Sequence, residues 1–239
     1  MENGSEHGRA ASRPQIADVL REAIRQGMLR PGQPLIQASI AEAMGVSRIP
    51  VREALHALAS EGLVAFGEDG GARVTELEPE EVDELWTLRA LLESHMAPAI
   101  ARNARSADVE RLRAIVASME EADHGTWSDR NHVFHQDLHA LSGMPHFADA
   151  AGRVLIMIEP YSRVAVNELD AQGEAQVEHR AMVDAVAAGD GAKLAELLLH
   201  HSDRARRALL EYSAERRRPV DHRAASAEAA RTLAAHLAR

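Results

Sequence analysis

The chain has 239 residues, 46% apolar and 27% charged, which suits one large or two modest globular domains and not a disordered chain. It has no cysteine, which excludes disulfide staples, thiolate metal sites and cysteine nucleophiles and accords with a reducing, cytoplasmic setting. A net charge of −10 and only 3% aromatic residues speak against a broadly basic nucleic-acid surface and against an all-β core.

The polar start MENGSEHGRAAS is neither a signal peptide nor periodic, so residues 1–12 read as a disordered tail. From Pro14, the apolar Ile16, Val19, Leu20 and Ile24 recur at helical spacing until Gly27 and Pro31-Gly32. Ser39 and Glu42 have capping-box spacing, which predicts a short helix closed by Gly45. Ser47 caps the next helix, whose Pro50 is tolerated because first-turn N–H groups have no intrahelical acceptor, and Gly62 ends it. Val64-Ala-Phe66 and Ala72-Arg-Val74 flank a Glu-Asp-Gly-Gly turn, a hairpin signal.

From Pro79 the pattern is helical, with helices expected near 79–102, 106–122, 128–142, 145–168, 174–188 and 190–213. The breaks are Ser106, His124-Gly125, Gly143/Pro145, Gln172-Gly173 and Gly189-Asp190. Short connections make these six helices one antiparallel bundle. No apolar run reaches the ~20 residues that span a bilayer, so no membrane partner is expected. The fold class is mainly α: a three-helix winged helix-turn-helix with a small β-hairpin over 13–76, then a helical bundle over 77–214. A C-terminal extension follows over 215–239, with room for an Ala-rich helix at 224–238.

Three helices and a hairpin are the winged helix-turn-helix pattern, whose third helix enters the DNA major groove by its N-terminal half. Val51, Leu55 and Leu58 form its inward stripe, and Arg48, Arg52 and His56 form a neighbouring ridge. Arginines at that spacing can donate to guanine O6 and N7 or clamp phosphates, and Ser47 with the first-turn N–H groups suits a phosphate oxygen. On periodicity alone, a solvated surface ridge explains the same residues. Residues 1–78 hold 8 Arg against 11 Asp and Glu, so DNA binding must rely on local placement.

In the bundle, polar residues that interrupt apolar stripes are the informative positions. Arg89 sits in the stripe Val82, Leu85, Leu92, Met96 and Ile100, and Asn131 and His135 share a face with Phe134, Leu138 and Leu141. His179 stands with Met182, Val183 and Val186, and His201 is bracketed by Leu197, Leu198 and Ala205. Each alone reads as a satisfied core polar group. Left scattered, each unpaired group would cost ~1–3 kcal/mol, which favours convergence. Three imidazoles and an oxygen suit a divalent metal, zinc ahead of nickel or manganese, and Arg89 beside it would receive a small carboxylate.

The stretch LREAIRQGMLRPGQPL, then IAEAMGVSRIPVREALHALASEGLV, resembles the DNA-binding domain of GntR-family bacterial transcription regulators. The resemblance implies a winged helix that binds double-stranded operator DNA with Arg48 and Arg52 at the DNA; Ser47, Pro50 and, in the wing, Gly71 complete the candidate DNA-binding set. The pieces LRALLE, NHVFHQDL, EHRAMVDAVAAGD and LLLHH are similar to the all-helical FadR-type effector domain (FCD) of one GntR branch. That similarity implies metal ligands at Asn131, His135, His179 and His201, with Asn131 where the family has Asp, a neutral and weaker ligand. It also implies Arg89 against the effector carboxylate. His139, one turn after His135 on the same helix, is a further candidate for lining that pocket.

The chain thus reads as a homodimeric, ligand-responsive regulator, a repressor by analogy with most relatives, and not an enzyme. A regulator answering to metal alone is the main alternative. A metal-dependent hydrolase is a distant one, because no HExxH or other base-bearing motif is present.

Overall fold

The computed structural model describes residues 13–68, 70–169 and 172–215. These form two compact units, one ending at Glu76 and the other starting at Leu77. The expected tail at 1–12, the wing-turn residue Asp69 and residues 216–239 of the expected extension lie outside the described residues.

The first unit runs α1 (Arg13–Arg25), β1 (Pro34–Leu35), α2 (Gln37–Ala43), α3 (Arg48–Ser60), β2 (Val64–Phe66) and β3 (Ala72–Val74). The anticipated hairpin is present, with Val64 opposite Val74 and Phe66 opposite Ala72. A third strand was not anticipated. Pro34 and Leu35 pair with Arg73 and Ala72, giving an antiparallel sheet of order β1-β3-β2. Two residues are too few to leave a period-2 signal, and proline fits the edge it occupies. Ile16, Leu20, Ile24, Val51, Leu55 and Leu58 are fully buried and join α1 to α3.

The capping box at Ser39 and Glu42 does not form. α2 begins at Gln37, and Ile40 N–H already bonds Ile36 C=O at 3.0 Å, which places Ser39 inside the helix. Gly45, at φ 64°, then turns the chain into α3. Ser47 is the N-cap of α3, and Pro50 falls in its first turn.

The second unit comprises α4 (Pro79–Asn103), α5 (Ser106–Met119), α6 (His124–Ala140), α7 (Pro145–Leu169), α8 (Gln172–Ala187) and α9 (Gly191–Glu215). Expected breaks at His124-Gly125 and Gln172-Gly173 fall instead in the first turns of α6 and α8. At α6 the reason is local: the Asp123 carboxylate accepts from Thr126 N–H at 2.7 Å and starts the helix four residues early. α4 packs along α9 and α7, α5 on α6 and α8, and α8 on α9. The main core gathers Met96, Ile100, Leu112, Phe134, Leu138 and Met182, and a smaller one holds Val82, Trp86, Val154, Ile158 and Leu209. Among the described residues no helix is long and apolar enough to cross a membrane.

One contact between α4 and α9 is backbone on backbone. A Cβ placed on Gly191, at the start of α9, would lie 2.5 Å from Pro98 Cα on α4. A methyl group there cannot be absorbed by rotating a side chain. Gly191→Ala is expected to destabilise the protein by about 1–3 kcal/mol, read as a lower melting temperature; an unchanged melting temperature would show that the helices separate freely.

Candidate functional site

Two surfaces of different character stand out, one in each unit. On α3, Val51, Ala54, Leu55 and Leu58 face the core. Arg48, Arg52 and His56 are exposed, as is Ser47, whose side chain makes no capping bond. Ile49, 70% exposed, stands beside them, and the His56 ring stacks on Phe66 of β2 with centroids 4.5 Å apart. The ridge is therefore a solvent-facing cationic edge anchored on the sheet. Gly71 is exposed in the hairpin turn, where its carbonyl accepts from Gly67 N–H at 2.9 Å.

In the bundle, α6, α8 and α9 bring His135, His179 and His201 together, each supplying a ring nitrogen within 4.8 Å of the others'. Ring centroids are 4.9 Å apart for His179 and His201, 5.3 Å for His135 and His201, and 5.5 Å for His135 and His179. All three are buried. Their hydrogen bonding differs, and the differences define the site.

His201 directs Nδ1 at Glu178 Oε2, 2.6 Å away, and Arg204 donates to both oxygens of the same carboxylate at 2.7 and 2.9 Å. A carboxylate accepts, so Nδ1 carries the hydrogen and Nε2 keeps the lone pair, as in metal sites oriented by an outer carboxylate. His179 is 0% exposed and neither of its nitrogens has a partner. His135 is met by Arg89, whose Nη2 lies 2.9 Å from both of its nitrogens. Asn131 Oδ1 is buried without a partner.

Arg89, 1% exposed, is held by α4 itself: its Nε donates to Glu93 Oε1 one turn on at 3.0 Å, and its guanidinium lies 5.2 Å from the Trp86 ring centroid. His139 Nε2 donates to the same Glu93 oxygen at 2.8 Å. His139 is thus committed to Glu93, and among the described residues it does not line the adjoining cavity. Trp86, Arg89, Trp127, Asn131, His201 and Arg204 do. Glu93, His135 and His139 form a second group of potential ligands. His200 is largely exposed on the polar side of α9.

Neither Glu93 nor Glu178 was singled out from the sequence. The signal was present: Glu93 lies four residues after Arg89, and Glu178 four before the buried Met182, so both fall on buried stripes. Glutamates on helices ordinarily face water, which masks such cases.

The electrostatics follow from burial. Desolvation, then the Arg89 charge, pushes His135 well below its usual range; desolvation and the neighbouring imidazoles do the same to His179. Desolvation lowers His201 despite its bond to Glu178. Burial alone would raise Glu93, but Arg89, His135 and His139 together hold it well below the usual carboxylate range. Glu178, raised by burial but bonded to His201 and Arg204, is lowered to about 2. The unfolded histidines take up protons as pH falls through about 6.5, whereas the buried rings do not. Stability present above that pH is therefore lost as pH drops. The melting temperature of metal-stripped protein is expected to fall between pH 7.5 and 5.5, less steeply in His179→Leu; a flat profile would contradict neutral, buried rings.

Comparison with known proteins agrees with this division. Residues 13–74 match the family model "Bacterial regulatory proteins, gntR family", and residues 84–204 match the FCD domain. The regulator LutR of Bacillus subtilis is 31% identical over 202 residues, covering 74% of this chain and 92% of LutR. A probable D-xylose utilization operon repressor of Paenarthrobacter nicotinovorans is 28% identical over 191 residues, covering 78% and 84%. The solved structure of Escherichia coli McbR/YncC shares the fold, with a TM-score of 0.75 at 22% identity over 87% of this chain and all of that one. The chain belongs to the GntR family of bacterial transcription regulators, in the branch carrying an FCD domain, and is a regulator rather than an enzyme.

Proposed function

We propose that the protein is a dimeric repressor whose bundle binds a divalent metal and, beside it, a small organic acid that alters operator binding. The observation that carries this reading is His179: an imidazole fully buried between His135 and His201 with no hydrogen-bond partner on either nitrogen. Such a ring costs about 1–3 kcal/mol for each unmet group, and a metal relieves that cost. His135, His179 and His201 would hold the ion, with the unpartnered Asn131 Oδ1 as a fourth donor. Neutral imidazoles with an amide oxygen favour zinc or nickel; manganese prefers the carboxylate that this set lacks. When bound, the metal supplies positive charge and open coordination positions for a carboxylate. Arg89, lining the same cavity, would orient that carboxylate, and Glu93 would fix Arg89 and His139.

At the other end of the chain, Arg48 and Arg52 would read or clamp operator DNA. Ser47 and Pro50 would shape the first turn of α3, and Gly71 would admit the wing to the backbone. Leu88 and Leu91, exposed on α4, support a self-association face, and a dimer matches a two-fold operator. A metal-only sensor is the second reading, favoured because Arg89 is already paired with Glu93.

Two measurements test the proposal. Metal analysis of untagged protein is expected to give about one zinc or nickel ion per chain, lost in His179→Ala; equal metal in that variant would remove the site. Arg48→Ala and Arg52→Ala are each expected to weaken operator binding by roughly 1–3 kcal/mol, and normal binding by both would remove α3 as the DNA-reading helix. Operator affinity that follows metal, with no response to any small carboxylate, would favour the second reading.

A further inference from the structure

We propose that Ile49 reads a thymine in each operator half-site by packing on its C5-methyl group in the major groove. This inference deepens the DNA-reading role of α3 proposed above and rests on it. Ile49 is the second residue of α3 and is 70% exposed, more than any other large apolar residue among the described ones. On a helix of 3.6 residues per turn it lies about 170° around from the middle of the buried stripe of Val51, Ala54, Leu55 and Leu58, so it projects away from the core. Arg52 and Glu53 flank it one turn on, His56 continues the same exposed face, and Arg48 stands at its edge.

Helix formation does not account for an isoleucine there. A β-branched side chain is a poorer helix former than the Glu, Gln, Lys or Arg that suit an exposed first turn. A single exposed aliphatic residue is ordinary by itself, and it is the position of Ile49 that distinguishes it. α3 would enter the groove by its N-terminal half, where the centre of the outward face is apolar and arginines stand beside it. The major groove has the complementary layout: phosphates along its walls, hydrogen-bonding base edges on its floor, and one apolar projection, the thymine methyl. Arg48 and Arg52 can meet phosphate or guanine. Ile49 has no donor or acceptor in its side chain, and the thymine methyl is the group that matches it. Ile49 and Arg52 are about 4.5 Å apart along the helix axis, little more than one base-pair step of about 3.4 Å. The thymine therefore neighbours the base pair that Arg52 faces.

The experiment uses duplexes that the full-length protein selects from a random-sequence pool. Each thymine of either strand is replaced in turn by deoxyuridine, which removes the methyl and leaves every hydrogen-bonding group in place. At one thymine per half-site the replacement is expected to weaken binding about fourfold or more. If no thymine is sensitive, the proposal is overturned. Ile49→Ala, at an exposed helix position, keeps the fold and is expected to bind the thymine and uracil duplexes alike, both about as weakly as the unsubstituted protein binds the uracil duplex. Discrimination retained by Ile49→Ala assigns the methyl to another side chain and overturns the proposal. The underlying reading fails separately: normal binding of the selected duplexes by both Arg48→Ala and Arg52→Ala removes α3 as the reading helix. Binding lost in those two variants, with no uracil effect, overturns the Ile49 contact alone.

Discussion

Removing a histidine ring from water without offering either nitrogen a partner is unfavourable, and His179 occupies that condition in the middle of the bundle. Much of the polar arrangement around it makes sense as compensation. Glu178 and Arg204 turn His201 so that its lone pair faces inward, and Glu93 collects both Arg89 and His139. These charges would be intolerable in an apolar core singly; each is paired, and the pairs lie next to one another. The interior of this unit is a packed core with a polar seam whose members orient each other around one unmet imidazole.

The DNA-binding unit works under a different constraint. Its acidic balance gives no general attraction to phosphate, so affinity must come from a few groups in the right place. The exposed arginines of α3 are backed by a stripe of fully buried residues, and His56 is braced on Phe66. Precision of that kind needs a rigid support, which the β1-β3-β2 sheet and the α1–α3 core provide.

Much of this was legible in the sequence because helices announce themselves by period. Arg89, His135, His179 and His201 stand out as polar residues in apolar stripes of period 3.6. The strands β2 and β3 were legible from the turn between them. Strand β1 was not, since a two-residue segment has no period and is defined only by its partner β3. The start of α6 was misplaced because Gly125 reads as a breaker, whereas in a first turn capped by Asp123 it breaks nothing. Glu93 and Glu178 were passed over because an acidic residue on a helix is usually solvated; what holds them inside is a cation contributed in part by a distant segment. A one-dimensional reading detects which residues face inward more readily than which will neutralise one another.

The close approach of Pro98 and Gly191 has a mechanical consequence. Three points mark the α4–α9 pair: Pro98 on Gly191, then Arg89 and His201 at one cavity, then the ion pair of Asp83 with Arg206. The order along α4 is reversed along α9, so the helices run antiparallel, with their backbones jammed at one end and tied by side chains at the other. At 1.5 Å per residue, Arg89 lies about 13 Å along α4 from Pro98 and Asp83 about 22 Å. With Pro98 as fulcrum, a tilt that shifts the helix at Arg89 shifts it at Asp83 by about 1.7 times as much. The pair is thus a lever, and its long arm ends where α4 begins, only a few residues in sequence from the last strand of the winged helix.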